Sequence, residues 1–108
     1  MFVHTTIIKV KPENAQKVVE YLSSPEQKAY FEQIDDILHG FVLESNEEPG
    51  TLISLSFWKS QASAQAVFAD PRYAALVAGL REYLVAAPQR LSYNLLSDLP
   101  FKKPVISA

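Results

Sequence analysis

The side chains of this 108-residue chain that could do acid–base chemistry are few: two histidines, no cysteine and a scatter of hydroxyls. His4 lies two residues from Thr6 in the opening run FVHTTIIKV, so both side chains leave one face of a strand. That face otherwise carries Phe2, Ile8 and Val10, and polar groups among them need partners or a wet cavity. A neutral imidazole near a bound phenol can accept its proton, because its ordinary pKa lies near operating pH. The alternative is a structural histidine or an exposed strand end. In the run QRLSYNLL, Ser92 and Asn94 could hydrogen-bond a substrate oxygen, and Asn94 offers both donor and acceptor.

Trp58 closes the run TLISLSFW on the face expected to meet helices. It is either a core plug or one wall of an aromatic pocket, and Phe68 and Tyr73 pose the same choice. Tyr73 and Tyr83 fall on an apolar stripe, where packing is the ordinary role. Arg72 follows a helix start and is a surface charge or a rim cation for an anionic substrate. His39, beside Gly40, is expected at a helix end, where a cation meets the dipole favourably. Neither histidine has a carboxylate at metal-ligand spacing, so no metal is expected. No nucleophile–base pair, phosphate loop or paired-carboxylate arrangement stands out, and no cofactor is expected.

These residues must be positioned by a single small domain, expected over residues 1–98, with residues 99–108 as an extended arm around Pro100 and Pro104. Apolar residues make up 48% and charged residues 20%, the balance of a folded rather than a disordered chain. A net charge of −2 argues against a nucleic-acid partner. No apolar run approaches bilayer length, so no membrane partner is expected. The amino terminus reads as a strand, not a signal peptide, and the simplest compartment is the cytoplasm. Without cysteine, disulfides, thiolate nucleophiles and cysteine-ligated metals are excluded.

Taken in order, residues 2–10 form a strand with Phe2, His4, Thr6, Ile8 and Val10 on one face. Pro12 opens a helix that buries Ala15, Val18, Val19 and Leu22. Ser23-Ser24-Pro25 breaks it, and Ser24 caps a new segment drawing on Tyr30, Phe31, Ile34, Ile37 and Leu38, ended by Gly40. A short strand over 41–45, a Pro49-Gly50 turn and a strand over 51–58 follow. Ser60 caps a helix with Ala62, Ala66, Val67 and Phe68 as its apolar members. Asp70-Pro71 starts another, carrying Tyr73, Leu76, Val77, Leu80, Tyr83 and Leu84. A last strand covers 89–96. The order βαββαβ predicts an α+β, ferredoxin-like fold with a four-stranded antiparallel sheet and helices on one side. Ile53, Leu55 and Phe57 then crowd the other side. Pairing two such faces about a two-fold axis would cover them, so a homodimer through sheet faces is expected.

The opening strand ending in KVKP, the glycine before the second strand, the third strand ending in FWKS (57–60) and DPRYAAL (70–76) before a helix together resemble the antibiotic biosynthesis monooxygenase (ABM) family. The resemblance spans roughly residues 2–96 and implies a dimeric α/β barrel. It also implies a cofactor-independent monooxygenase for a small electron-rich aromatic ligand, a quinol or polycyclic phenol, which itself supplies electrons to oxygen. Haem-degrading members use a histidine, an asparagine and a tryptophan at positions that match Val77, Thr6 and Val67 here. Val77 cannot ligate iron, so haem degradation is not expected. Two classes remain: such a monooxygenase, or a non-catalytic ligand-binding or dimerisation module on the same scaffold.

Overall fold

The computed structural model describes residues 1–99. Its elements are β1 (Phe2–Lys9), α1 (Ala15–Leu22), α2 (Pro25–Glu32), β2 (Ile37–Glu44), β3 (Thr51–Trp58), α3 (Gln61–Phe68), α4 (Pro71–Ala78) and β4 (Gln89–Asn94). The strands form one antiparallel sheet in the order β2-β3-β1-β4, so the predicted ferredoxin-like α+β fold is what the chain adopts. The arm predicted for 99–108 lies, apart from Leu99, outside the described residues.

Local chemistry starts and stops these elements. Ser24, Ser60 and Asp70 accept backbone N–H bonds from Gln27, Ser63 and Arg72, capping α2, α3 and α4. Pro25 and Pro71 occupy first helical positions, where no N–H is required. The β2–β3 hairpin turns at Gly50, whose φ of 89° only glycine adopts without strain, and a Cβ there would collide with the Val10 carbonyl.

Several boundaries differ from the sequence reading. The second helical segment ends at Glu32, and Ile37, Leu38, His39 and Gly40 belong to β2. Hydrogen bonding to β3 outweighs the local helical spacing, with Ile37 opposite Trp58, His39 opposite Phe57 and Leu38 in a bulge between them. Gly40 is therefore a strand residue rather than a helix cap, and His39 meets no helix end. α3 buries Ala64 and Val67, not Ala62 and Ala66, because Ala64 and Val67 close onto Phe2 and Trp58. The last helix stops at Ala78, and a 3-10 turn (Arg81–Tyr83) continues the chain. There the Leu76 carbonyl accepts bonds from Tyr21 Oη and, at 3.1 Å, from Gln27 Nε2. Tyr21 lies so close that a Cβ on Gly79 would sit 2.5 Å from its hydroxyl oxygen. The last strand ends at Asn94, and β1 at Lys9.

The helix side of the sheet holds two apolar clusters. Ile8, Val10, Ala15, Val18, Leu52 and Leu80 pack at one end; Phe2, Tyr30, Trp58, Ala64 and Val67 pack at the other. The opposite face has no covering element among the described residues. Across it run Val3, Ile7, Ile53, Leu55, Phe57, Phe41 and Leu43, with Leu43 and Tyr93 about half exposed.

Candidate functional site

Cross-strand register dictates what lies between the two clusters. Residues opposite one another in an antiparallel sheet point to the same face. One helix-facing row is Val42–Ser54–Thr6–Arg90 and the next is Gly40–Ser56–His4–Ser92, from β2 to β4. Neither row has a large apolar side chain in its centre to fill the space under the helices. The result is a cavity of about 1010 Å³, open to solvent. Its floor is His4, Thr6, Ser54, Ser56, Gly40 and Val42. Its walls include Val19, Leu22, Gln27 and Phe31 from α1 and α2, and Phe68, Tyr73 and Val77 from α3 and α4. Ser23, Lys28, Glu32 and Asp35 also line it, so one wall is apolar and aromatic and the other is partly charged. The apolar wall, facing a few polar floor groups, suits a small aromatic molecule.

His4 is 8% exposed, and its ring packs on Phe68 with centroids 4.2 Å apart. No hydrogen bond joins the ring to another described residue, and the residue lines the cavity, where it can meet a ligand. Burial, with the Arg90 charge as a lesser cause, lowers its pKa below the ordinary 6.5, so the imidazole is neutral at pH 7. Trp58 is 1% exposed and serves both the packed cluster and the cavity wall. Its Nε1–H donates to Ser56 Oγ at 2.8 Å, which fixes both groups. Phe68 lies edge-on to Trp58 at 5.9 Å and 5.5 Å from Tyr73, making a continuous aromatic wall. Burial raises the Tyr73 pKa, which keeps its phenol protonated.

The structure thus gathers His4, Thr6, Trp58, Phe68 and Tyr73 around one space and leaves Asn94 and Arg72 elsewhere. Asn94 pairs with Phe2 at the exposed end of β4, away from the cavity lining. Arg72 is turned to Asp70, with Nη2 3.0 Å from Oδ2, and its guanidinium lies over the Tyr30 ring. That pair serves the helix start: the Arg72 bonds hold the Asp70 carboxyl down to about 2, and Tyr30 Oη donates to it at 2.9 Å. Burial, then the bond to Asp70, pushes the Tyr30 phenol up to about 12. Of the positions compared with haem-degrading proteins, Val77 and Thr6 line the cavity while Val67 is buried in the packed cluster. No group of three or more metal-ligating side chains is present among the described residues.

Sequence reading missed Ser54, Ser56, Gln27, Gly40 and Arg90. For the two serines a signal existed: they occupy the same helix-facing positions as Leu52 and Trp58, where hydroxyls imply water or a ligand. Gln27 is 3% exposed and lines the cavity while bonding the Leu76 carbonyl. Arg90 lies over the Phe68 ring at 5.6 Å on the far side of His4, beside a small groove shared with Ser92.

The profile of the antibiotic biosynthesis monooxygenase family matches residues 1–79. The chain belongs to that family. Among solved structures, it resembles a monooxygenase from Streptomyces coelicolor, the product of ActVA-Orf6 in complex with nanaomycin D. That chain is 22% identical with a TM-score of 0.81, over 91% of this chain and 89% of the other. It also resembles SnoaB, a cofactor-independent oxygenase from Streptomyces nogalater, at 13% identity and TM-score 0.71, over 93% and 97%. A conserved protein from Methanosarcina mazei shares the fold at 20% identity and TM-score 0.73, over 85% and 89%. No curated protein gives a significant match. Within this ABM fold, no described helix is long and apolar enough to cross a membrane.

Proposed function

We propose that this ABM protein is a cofactor-independent monooxygenase acting on a small electron-rich aromatic, a quinol or polycyclic phenol. The observation that carries this reading is the cavity itself, an open space with Trp58, Phe68 and Tyr73 on one wall and, on its floor, a neutral imidazole that bonds no other described residue. His4 accepts the phenolic proton, which raises the electron density that the substrate offers to oxygen. Thr6 hydrogen-bonds the substrate oxygen, a role that Ser54, its cross-strand neighbour, can share. Trp58, Phe68 and Tyr73 hold the ring system. Asn94 and Arg72, assigned to substrate from sequence, take no part. In the net reaction the phenol loses its O–H proton and one ring C–H hydrogen, that ring carbon becomes C=O with one atom of O₂, and the other oxygen atom leaves as water with the two hydrogens. Structural neighbours described as a monooxygenase and a cofactor-independent oxygenase support the reaction class.

The same reading includes a homodimer through the sheet face away from the helices, with Ile53, Leu55 and Phe57 at the contact. The apolar row they form resembles a core cut in half. Sedimentation at micromolar concentration should show dimer or larger, and a stable folded monomer would refute this part.

Oxygen uptake by metal-free protein on a panel of quinols and anthrone-like compounds tests the chemistry. A positioned base contributes on the order of 10²–10⁴-fold, so His4→Ala should lower turnover by about that factor with the fold intact. Activity unchanged in His4→Ala would remove the base. If no compound is consumed, a non-catalytic ligand-binding module becomes the better reading.

A further inference from the structure

Gly40 is the one floor residue with no side chain, and neither its backbone nor its neighbours explain that. Its φ lies outside the left-handed region that favours glycine. A Cβ built on it would meet a single atom within 4 Å, the Leu55 carbonyl oxygen at 3.9 Å, an ordinary contact. A Cβ is therefore admissible there, and a β-branched residue would suit a strand better than glycine. Gly40 is solvent-exposed although its row faces the helices, because the cavity reaches it.

The register places it opposite Ser56, which in turn lies opposite His4. Adjacent strands are about 4.8 Å apart, so Gly40 stands roughly 9–10 Å across the floor from His4. That is about the reach of a linear three-ring system whose phenol oxygen meets His4. The rings would cross Ser56, which presents only a small hydroxyl, already engaged by Trp58.

We infer that Gly40 sets the ring-count limit of this protein's substrate: its missing side chain leaves room for the distal ring of a fused three-ring phenol lying across β1, β3 and β2. This rests on the proposed aromatic ligand and adds its length and orientation. Gly40→Val would put three carbon atoms at the far end of the floor, where a third ring would lie and a single ring bound at His4 would not reach.

Trp58, the only tryptophan in the chain, lines the cavity, so quenching of its fluorescence reads binding without requiring turnover. Wild type, Gly40→Ala and Gly40→Val would be titrated with one-, two- and three-ring phenols. Pocket substitutions of this size discriminate by on the order of tenfold to a few hundredfold, so Gly40→Val should weaken the three-ring phenol by about tenfold or more. The one-ring phenol should stay within about twofold on the same argument, and Gly40→Ala should act in the same direction with a smaller effect. The melting temperature should be equal or higher. A folded Gly40→Val with an unchanged three-ring to one-ring affinity ratio overturns the inference while leaving the proposed function standing. So does a lower melting temperature in both variants, which would mean that the space is packed. If wild type binds no phenol at all, the proposed function falls first and takes this inference with it.

Discussion

At the ends of the helix–sheet interface, Leu52 and Trp58 are 0% and 1% exposed; on the same strand and the same face, Ser54 and Ser56 between them reach solvent. The ends are filled by large side chains from sheet and helix together. The middle is floored by hydroxyls, a histidine and a glycine, and the helices span it without closing it. The difference teaches how a chain this small makes room for a ligand. It concentrates its packing in two clusters and leaves the space between them open. The clusters bring stability; the middle, which contributes little, is where chemistry can be placed.

That contrast can be broken most directly by truncation. Leu52→Ala should destabilise the protein by about 2–5 kcal/mol in urea unfolding, the usual range for a buried leucine. Ser54→Ala, two residues along, should change stability by less than about 1 kcal/mol, since its hydroxyl faces open space. Equal losses at both positions would mean that the middle is packed after all.

The contact between α1 and the end of α4, at the packed end of the interface, offers a smaller effect. Gly79→Ala would force Tyr21 away from the Leu76 carbonyl, and losing that hydrogen bond should lower stability by about 1–3 kcal/mol. Tyr21→Phe removes the same bond without a clash, so it should fall at the lower end of that range. If Gly79→Ala is neutral, the close approach of α1 to the end of α4 does not hold these helices together.

The subtlest test is pH. His4 has a lowered pKa when folded, so above about pH 6.5 both folded and unfolded chains carry it neutral and stability is full. As pH falls below 6.5 the unfolded chain binds a proton that the folded chain refuses, and stability drops until the folded group titrates. Asp70 acts in a separate window, contributing above its ordinary value near 3.8 and losing that contribution as pH falls toward 2. Urea midpoints from pH 7.5 to 5 should decline in wild type and flatten in His4→Gln. An identical slope in both would show that His4 is not desolvated by the side chains packed around it.

Much of this was determined by the sequence alone, wherever the cause lies within a few residues. The alternation in TLISLSFW gave β3 its limits, and Ser24-Pro25, Ser60 and Asp70-Pro71 gave three helices their starts, because caps and proline act on the backbone beside them. His4 and Thr6 were legible as polar groups on a covered face by the same period-two logic. Tertiary structure decided what depends on partners far along the chain. Residues 37–40 read as the end of a helix until β3 offered hydrogen bonds that made them a strand, and with that Gly40 moved from a helix cap to the floor of a cavity. Asn94 has the right chemistry in the wrong row: its register beside Phe2 places it one step beyond His4. A cavity is a property of rows across strands, and a row combines residues dozens of positions apart, so only the folded sheet could bring Gly40, Ser56 and His4 into line.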